Sequence, residues 1–171
     1  MADSQNNELL NSIKDFKMPR YNEIPNVGLY LEQTAKYIGD ALAPLFPGAL
    51  TGSMISNYVK KGLVSNPVKK QYDREQIAYL IFIAVVKNVL SMDDIKLCID
   101  IQKKTYTAVD AYTYFAEELE MLISYVFGIS AELKETDSTS SDEKRMLRNI
   151  IITVAHKIYL EKYFNILEEK K

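Results

Sequence analysis

One cysteine, one histidine and no tryptophan occur in this chain of 171 residues, and each scarcity removes a class of chemistry. Cys98 alone cannot form an intramolecular disulfide or a multi-cysteine metal site. With Ile95, Ile99 and Ile101 nearby it sits in an apolar register, where a buried structural thiol is commoner than a reactive one. His156 has no second histidine to share a metal with. Near Thr153, Tyr159 and Leu160 on an apolar helix face, a lone imidazole is more often structural than a ligand or base. No run of apolar residues is long enough to span a bilayer, and Met1 to Asn7 has neither a charged n-region nor a hydrophobic h-region, so no membrane partner and a cytoplasmic location are expected. There is no phosphate loop, dinucleotide fingerprint or paired metal-ligand motif. Glu117, Glu118 and Glu120 read as the solvated face of a helix before they read as an acid/base set. The expectation is a protein that is not an enzyme and uses no cofactor.

A one-sided overall charge is also lacking: the formal net charge of -2 gives no general attraction to nucleic acid, so any affinity for a polyanion must come from a local patch. Such a patch exists. Between Leu50 and Arg74, the cations Lys60, Lys61, Lys69, Lys70 and Arg74 face only the carboxylate of Asp73, leaving +4. Between Asp110 and Glu143, nine carboxylates face Lys134 alone, leaving -8. A basic segment early and an acidic one late suit one surface that attracts polyanions and another that repels them. An apolar fraction of 47% in a chain of this length is enough for one good core, or for a small core with a helical appendage.

The basic segment carries the most specific pattern. Gly48 to Ser53 forms a turn with small residues, and Thr51 or Ser53 can cap the helix that follows. In that helix Ile55, Tyr58 and Val59 share an inward stripe, while Ser53, Ser56, Asn57, Lys60 and Lys61 point elsewhere, and Gly62 stops it. Lys69 and Lys70, behind Pro67, then read as a short basic wing whose regularity as a hairpin is left open by that proline. A short helix with Ser, Asn and Lys on its free side fits a major groove, and lysines beside it fit phosphates. A helix over Val27 to Leu42 would precede it across an extended connector.

The remaining elements read as helices. Ser4 to Phe16 is a short amphipathic helix or arm. Asp73 to Val89 is the central core helix, and Ser91 with Asp94 starts another that runs through about Lys104. Tyr106 to Phe127 is a long helix ended by Gly128, Glu135 to Ser141 is a polar linker, and a last helix runs through Ile150, Ile151, Val154, Ile158, Leu160, Phe164 and Leu167. The fold class is all-α with a small wing. It comprises an arm over residues 1–20, a winged helix-turn-helix head over 21–90 and a helical body over 91–171.

Gly62-Leu63-Val64, Tyr72, Ile77 to Ile83 and Leu90-Ser91-Met92-Asp93-Asp94-Ile95-Lys96, in that order, resemble the DNA-binding half of MerR-type regulators. More closely, the Asn57-Tyr58-Val59-Lys60 core with Gly62-Leu63 and the Pro67-Val68-Lys69-Lys70 wing resemble the bacterial family DUF 1836, over roughly residues 21–104. In the MerR pattern Asn57 and Tyr58 fall at a Tyr pair, and Ser56 falls where many members carry an Arg. The resemblance implies a transcriptional regulator that binds double-stranded DNA through Thr51, Ser53, Ser56, Asn57, Tyr58, Lys60, Lys61, Lys69, Lys70, Tyr72 and Arg74.

The body admits two readings: it packs on the head as one core, or it makes a homodimer that sets two heads on two half-sites. Its tyrosines, among 12 in the chain, line a pocket for a small-molecule effector or serve as core edges. The alternative to DNA binding is a protein-interaction module that works through the helical body.

Overall fold

A computed structural model describes residues 2–133 and 141–169. The fold is predominantly helical, with one very short antiparallel pair of strands. Contacts divide the chain into a head unit, Met18–Ala116, and a terminal unit made from Met1–Lys17 with Glu117–Lys171.

The head unit is built around α4 (Arg74–Val86). Ile77, Leu80, Ile81, Ile83, Ala84, Val85 and Val86 are all buried, so the helix is apolar on every side and its stability comes from being surrounded. Its start is fixed by reciprocal capping. The Gln76 amide N–H donates to Asp73 Oδ1 at 2.8 Å, and the Asp73 amide donates to Gln76 Oε1 at 2.8 Å. Before it come β1 (Leu29–Tyr30), α2 (Leu31–Leu42), α3 (Gly52–Lys60) and β2 (Gln71–Tyr72). After it comes α5 (Met92–Thr105), whose Ser91 cap accepts from the Asp94 amide at 3.1 Å, as the sequence leads one to expect. α6 (Ala108–Val126) starts in this unit, where Phe115 meets Phe82 edge-on at 5.2 Å and the Tyr112 hydroxyl donates to the Pro19 carbonyl at 2.8 Å.

The first long helix of the head is shorter than its apolar periodicity suggests. Val27 to Tyr30 is not helical: Val27 lies in a bend, Gly28 takes φ +77°, and Leu29 and Tyr30 form a strand that pairs with Tyr72 and Gln71. The tertiary strand pairing overrides the local helical pattern. α2 then begins at Leu31, and the buried Thr34 hydroxyl donates to the Tyr30 carbonyl at 3.0 Å.

In the terminal unit α1 (Ala2–Asn11) packs on α7 (Asp142–Glu169), and Leu9, Ile13 and Phe16 are buried. α7 opens on Ser141, whose hydroxyl accepts from the Lys144 amide at 3.2 Å. α6 ends at Gly128 in the left-handed region, with the Ile129 amide donating to the Ser124 carbonyl at 2.9 Å. One side-chain expectation is corrected here. Glu118 is not on a solvated face: it is 2% exposed, while Glu117 is exposed. Of the apolar residues along α7, Ile150, Ile151, Val154, Ala155 and Ile158 form its covered stripe, whereas Leu160 and Phe164 are 48% and 53% exposed. The polar linker expected at 135–141 lies, apart from Ser141, outside the described residues. Among the described residues no helix is long and apolar enough to cross a membrane.

Candidate nucleic-acid interface

α3 is held at both ends by its own sequence. Thr51 Oγ1 accepts from the Met54 amide at 3.2 Å, so Thr51 rather than Ser53 is the cap. At the other end Gly62 takes φ +76°, its amide donates to the Val59 carbonyl at 3.0 Å, and the Leu63 amide reaches back to the Tyr58 carbonyl at 3.0 Å. That is the paired-bond glycine stop, with Leu63 buried behind it. Gly52 starts the helix against the Glu32 carboxylate and Leu31 of α2, so a side chain there would have to displace the end of Glu32 and press on Leu31.

The two sides of α3 separate cleanly. Ile55 and Tyr58 are buried, and burial pushes the Tyr58 phenol above its ordinary pKa. Ser53, Ser56, Asn57 and Lys60 follow the i, i+3, i+4, i+7 spacing and are all exposed, as is Lys61 at the end of the helix. A helix of nine residues is about 13 Å long by its rise per residue, comparable with the major-groove width of about 12 Å. The connector from α2, residues 43–51, is far longer than the turn of about three or four residues in an ordinary helix-turn-helix. It buries Leu45, Phe46, Ala49 and Leu50.

The segment expected to be a wing is a hairpin closed by a two-residue turn. The Val68 amide donates to the Gln71 carbonyl at 3.1 Å and the Gln71 amide to the Val68 carbonyl at 2.9 Å. Between them Lys69 and Lys70 take φ +51° and +64°, the conformation that hairpins of this length normally give to Asn-Gly. Pro67 sits just outside the closing pair, where its missing N–H breaks no bond of the hairpin. Gln71 is bridged to Val68 on one edge and paired with Tyr30 of β1 on the other, so the wing is tied to the start of α2.

Three of the residues expected to touch DNA are occupied in the fold. Tyr58 and Tyr72 are buried, and burial raises both phenols. Arg74 donates through Nε to the Ile24 carbonyl at 2.8 Å and through Nη2 to the Asn22 carbonyl at 3.2 Å, and its guanidinium lies over the Tyr21 ring. These three position the surface. The exposed set is Thr51, Ser53, Ser56, Asn57, Lys60, Lys61, Lys69 and Lys70. Beside α3, Lys87 approaches Met54 Sδ at 3.6 Å, and burial lowers its pKa.

Sequence reasoning missed Gln76. It is 6% exposed, and its Nε2 donates to the Ser65 carbonyl at 3.0 Å, the Ser65 hydroxyl at 3.1 Å and the Asn66 carbonyl at 3.1 Å. One amide side chain thus caps α4 and fastens the base of the wing. The signal available was a glutamine three residues after Asp73, which predicts the cap and not the second role.

A protein-family model described as "Domain of unknown function (DUF1836)" matches residues 19–116. No curated protein and no solved structure matches the chain.

Proposed function

The chain belongs to the DUF1836 family, and from the surface of its head unit we propose a DNA-binding transcriptional regulator with a MerR-like winged helix-turn-helix head. In this reading α3 is the recognition helix, with Ser53, Ser56, Asn57 and Lys60 toward base edges in the major groove and Lys61 toward the backbone. Lys69 and Lys70 are the phosphate contacts of the wing, and Thr51 caps. Tyr58, Tyr72 and Arg74 hold the scaffold.

The observation that carries the reading is the division of α3 into a buried apolar side and an exposed Ser-Ser-Asn-Lys stripe, in the same unit as a dibasic hairpin tip. A solvated helix face needs no polar donors in register with lysines, and a solvated turn needs no lysine at positive φ. Two such heads, joined as a homodimer through the terminal unit, would read two half-sites.

The test is enrichment of genomic fragments by the purified full chain over a salt series, with a Lys60→Glu/Lys69→Glu/Lys70→Glu variant as control. A shared inverted repeat, lost in the variant, is the expected result. Absence of enrichment, or binding indifferent to those lysines, overturns the reading in favour of a protein-interaction module.

A further inference from the structure

Met54 lies on α3 beside the polar stripe and takes no part in the DNA contacts proposed for that helix. Among the described residues it is the one exposed methionine, at 38%; Met18 is 2% exposed, and Met92, Met121 and Met146 are half-buried. Lys87 caps the C-terminal end of α4, and its Nζ donates to Met54 Sδ at 3.6 Å. A thioether is a weak acceptor, yet among the described residues it is the one polar partner of this half-buried ammonium. Burial lowers the Lys87 pKa, so its proton is held less firmly than that of a free lysine.

We infer that Met54 is a site of reversible oxidation by hydrogen peroxide, with the Lys87 ammonium supplying the proton that the reaction needs. A sulfur lone pair attacks one peroxide oxygen; an S–O bond forms and the O–O bond breaks. The sulfide is oxidised by two electrons and the peroxide reduced. Lys87 protonates the departing hydroxide to water, and the proton of the resulting S–OH group returns to the Lys87 amine, leaving the sulfoxide. Three N–H donors on one nitrogen let Lys87 stay at the sulfur while meeting the leaving oxygen. A donor that only engaged the sulfur lone pair would slow the attack, so acceleration is the mark of proton delivery. The product is also favoured there, because a sulfoxide oxygen accepts a charge-assisted hydrogen bond where the thioether accepted a weak one.

Met54 stands one turn before Asn57 and two before Lys61, so a polar, chiral sulfoxide alters the face assigned to DNA. That consequence rests on the DNA-binding reading; the oxidation chemistry does not.

The test exposes the purified full chain to dilute hydrogen peroxide and follows sulfoxide at each methionine by peptide mass. Met54 is expected to oxidise several-fold faster than Met92, Met121 or Met146. Lys87→Gln, which keeps a donor but has no transferable proton, should slow Met54 several-fold and leave Met146 unchanged. Met18 reports on folding, since it stays reduced only while the head is folded. Should Lys87→Gln expose Met18, Lys87→Arg takes its place, keeping the charge while releasing no proton. An unchanged or faster Met54 rate in the variant, with Met18 protected, overturns the inference. So does a wild-type Met54 no faster than the half-buried methionines.

In duplex binding, peroxide should weaken the wild-type chain several-fold, methionine sulfoxide reductase should restore it, and Met54→Leu should be indifferent to peroxide. A Met54→Leu chain that loses binding as the wild type does removes the switching role. If no duplex is bound at all, the DNA-binding reading falls and the methionine rates still decide the chemistry.

Discussion

Gln76 illustrates how one side chain can hold two elements. Truncating it removes the partner of the Ser65 and Asn66 carbonyls and of the Asp73 amide together. Gln76→Ala should therefore cost about 1–2 kcal/mol in urea denaturation, the range for losing hydrogen bonds whose other partners, on exposed residues, can turn to water. Cys98 offers a second check. Burial, assisted by the nearby Asp94 carboxylate, raises its thiol pKa. The thiolate fraction at neutral pH is accordingly smaller than for a free cysteine. Alkylation should be several-fold slower than for a model thiol, and its rate should go on rising at pH values where the model thiol has levelled off. A rate matching the model thiol would contradict this. At this scale the sequence was a partial guide. Thr51, Ser91 and Gly62 announced their roles because caps depend on a few neighbouring residues, whereas the burial of Tyr72 and Glu118 and the carbonyl contacts of Arg74 depend on distant partners.

The hairpin is where local preference and observed geometry disagree most. A left-handed conformation costs a non-glycine residue of order 1 kcal/mol, and Lys69 and Lys70 both adopt it. Replacing the pair by Asn-Gly should raise stability by about 1–2 kcal/mol, read from the urea midpoint, and should lower affinity for duplex DNA. A variant more stable and equally avid would show that the lysines are incidental. On α3, Asn57→Ala with Lys60→Ala should leave the thermal midpoint within about 1 °C, since both are exposed surface positions, and should weaken sequence-specific binding at least tenfold. The sequence made α3 legible because its period and both stops lie within the helix. β1 was hidden inside an apparent helix because its partner, β2, lies about forty residues away.

For the whole chain, the acidic and basic segments identified from composition leave the net charge at -2. On the proposed reading, binding to DNA depends on the patch alone, and losing Lys69 and Lys70 should reduce the slope of log affinity against log salt by roughly two. Overall helicity was legible from apolar periodicity. The division of the chain was not, because periodicity within an element carries no information about which elements associate. The head unit runs past residue 90 to take in α5.

That division has a further consequence during synthesis. Residues 1–17 leave the ribosome before the head, yet they pack with α7, which leaves after it. Leu9, Ile13 and Phe16 must wait uncovered while the head assembles behind them. A nascent chain halted once residue 116 has emerged should already contain a protease-resistant head and a sensitive segment over residues 1–17, and protection of that segment should appear only when α7 emerges.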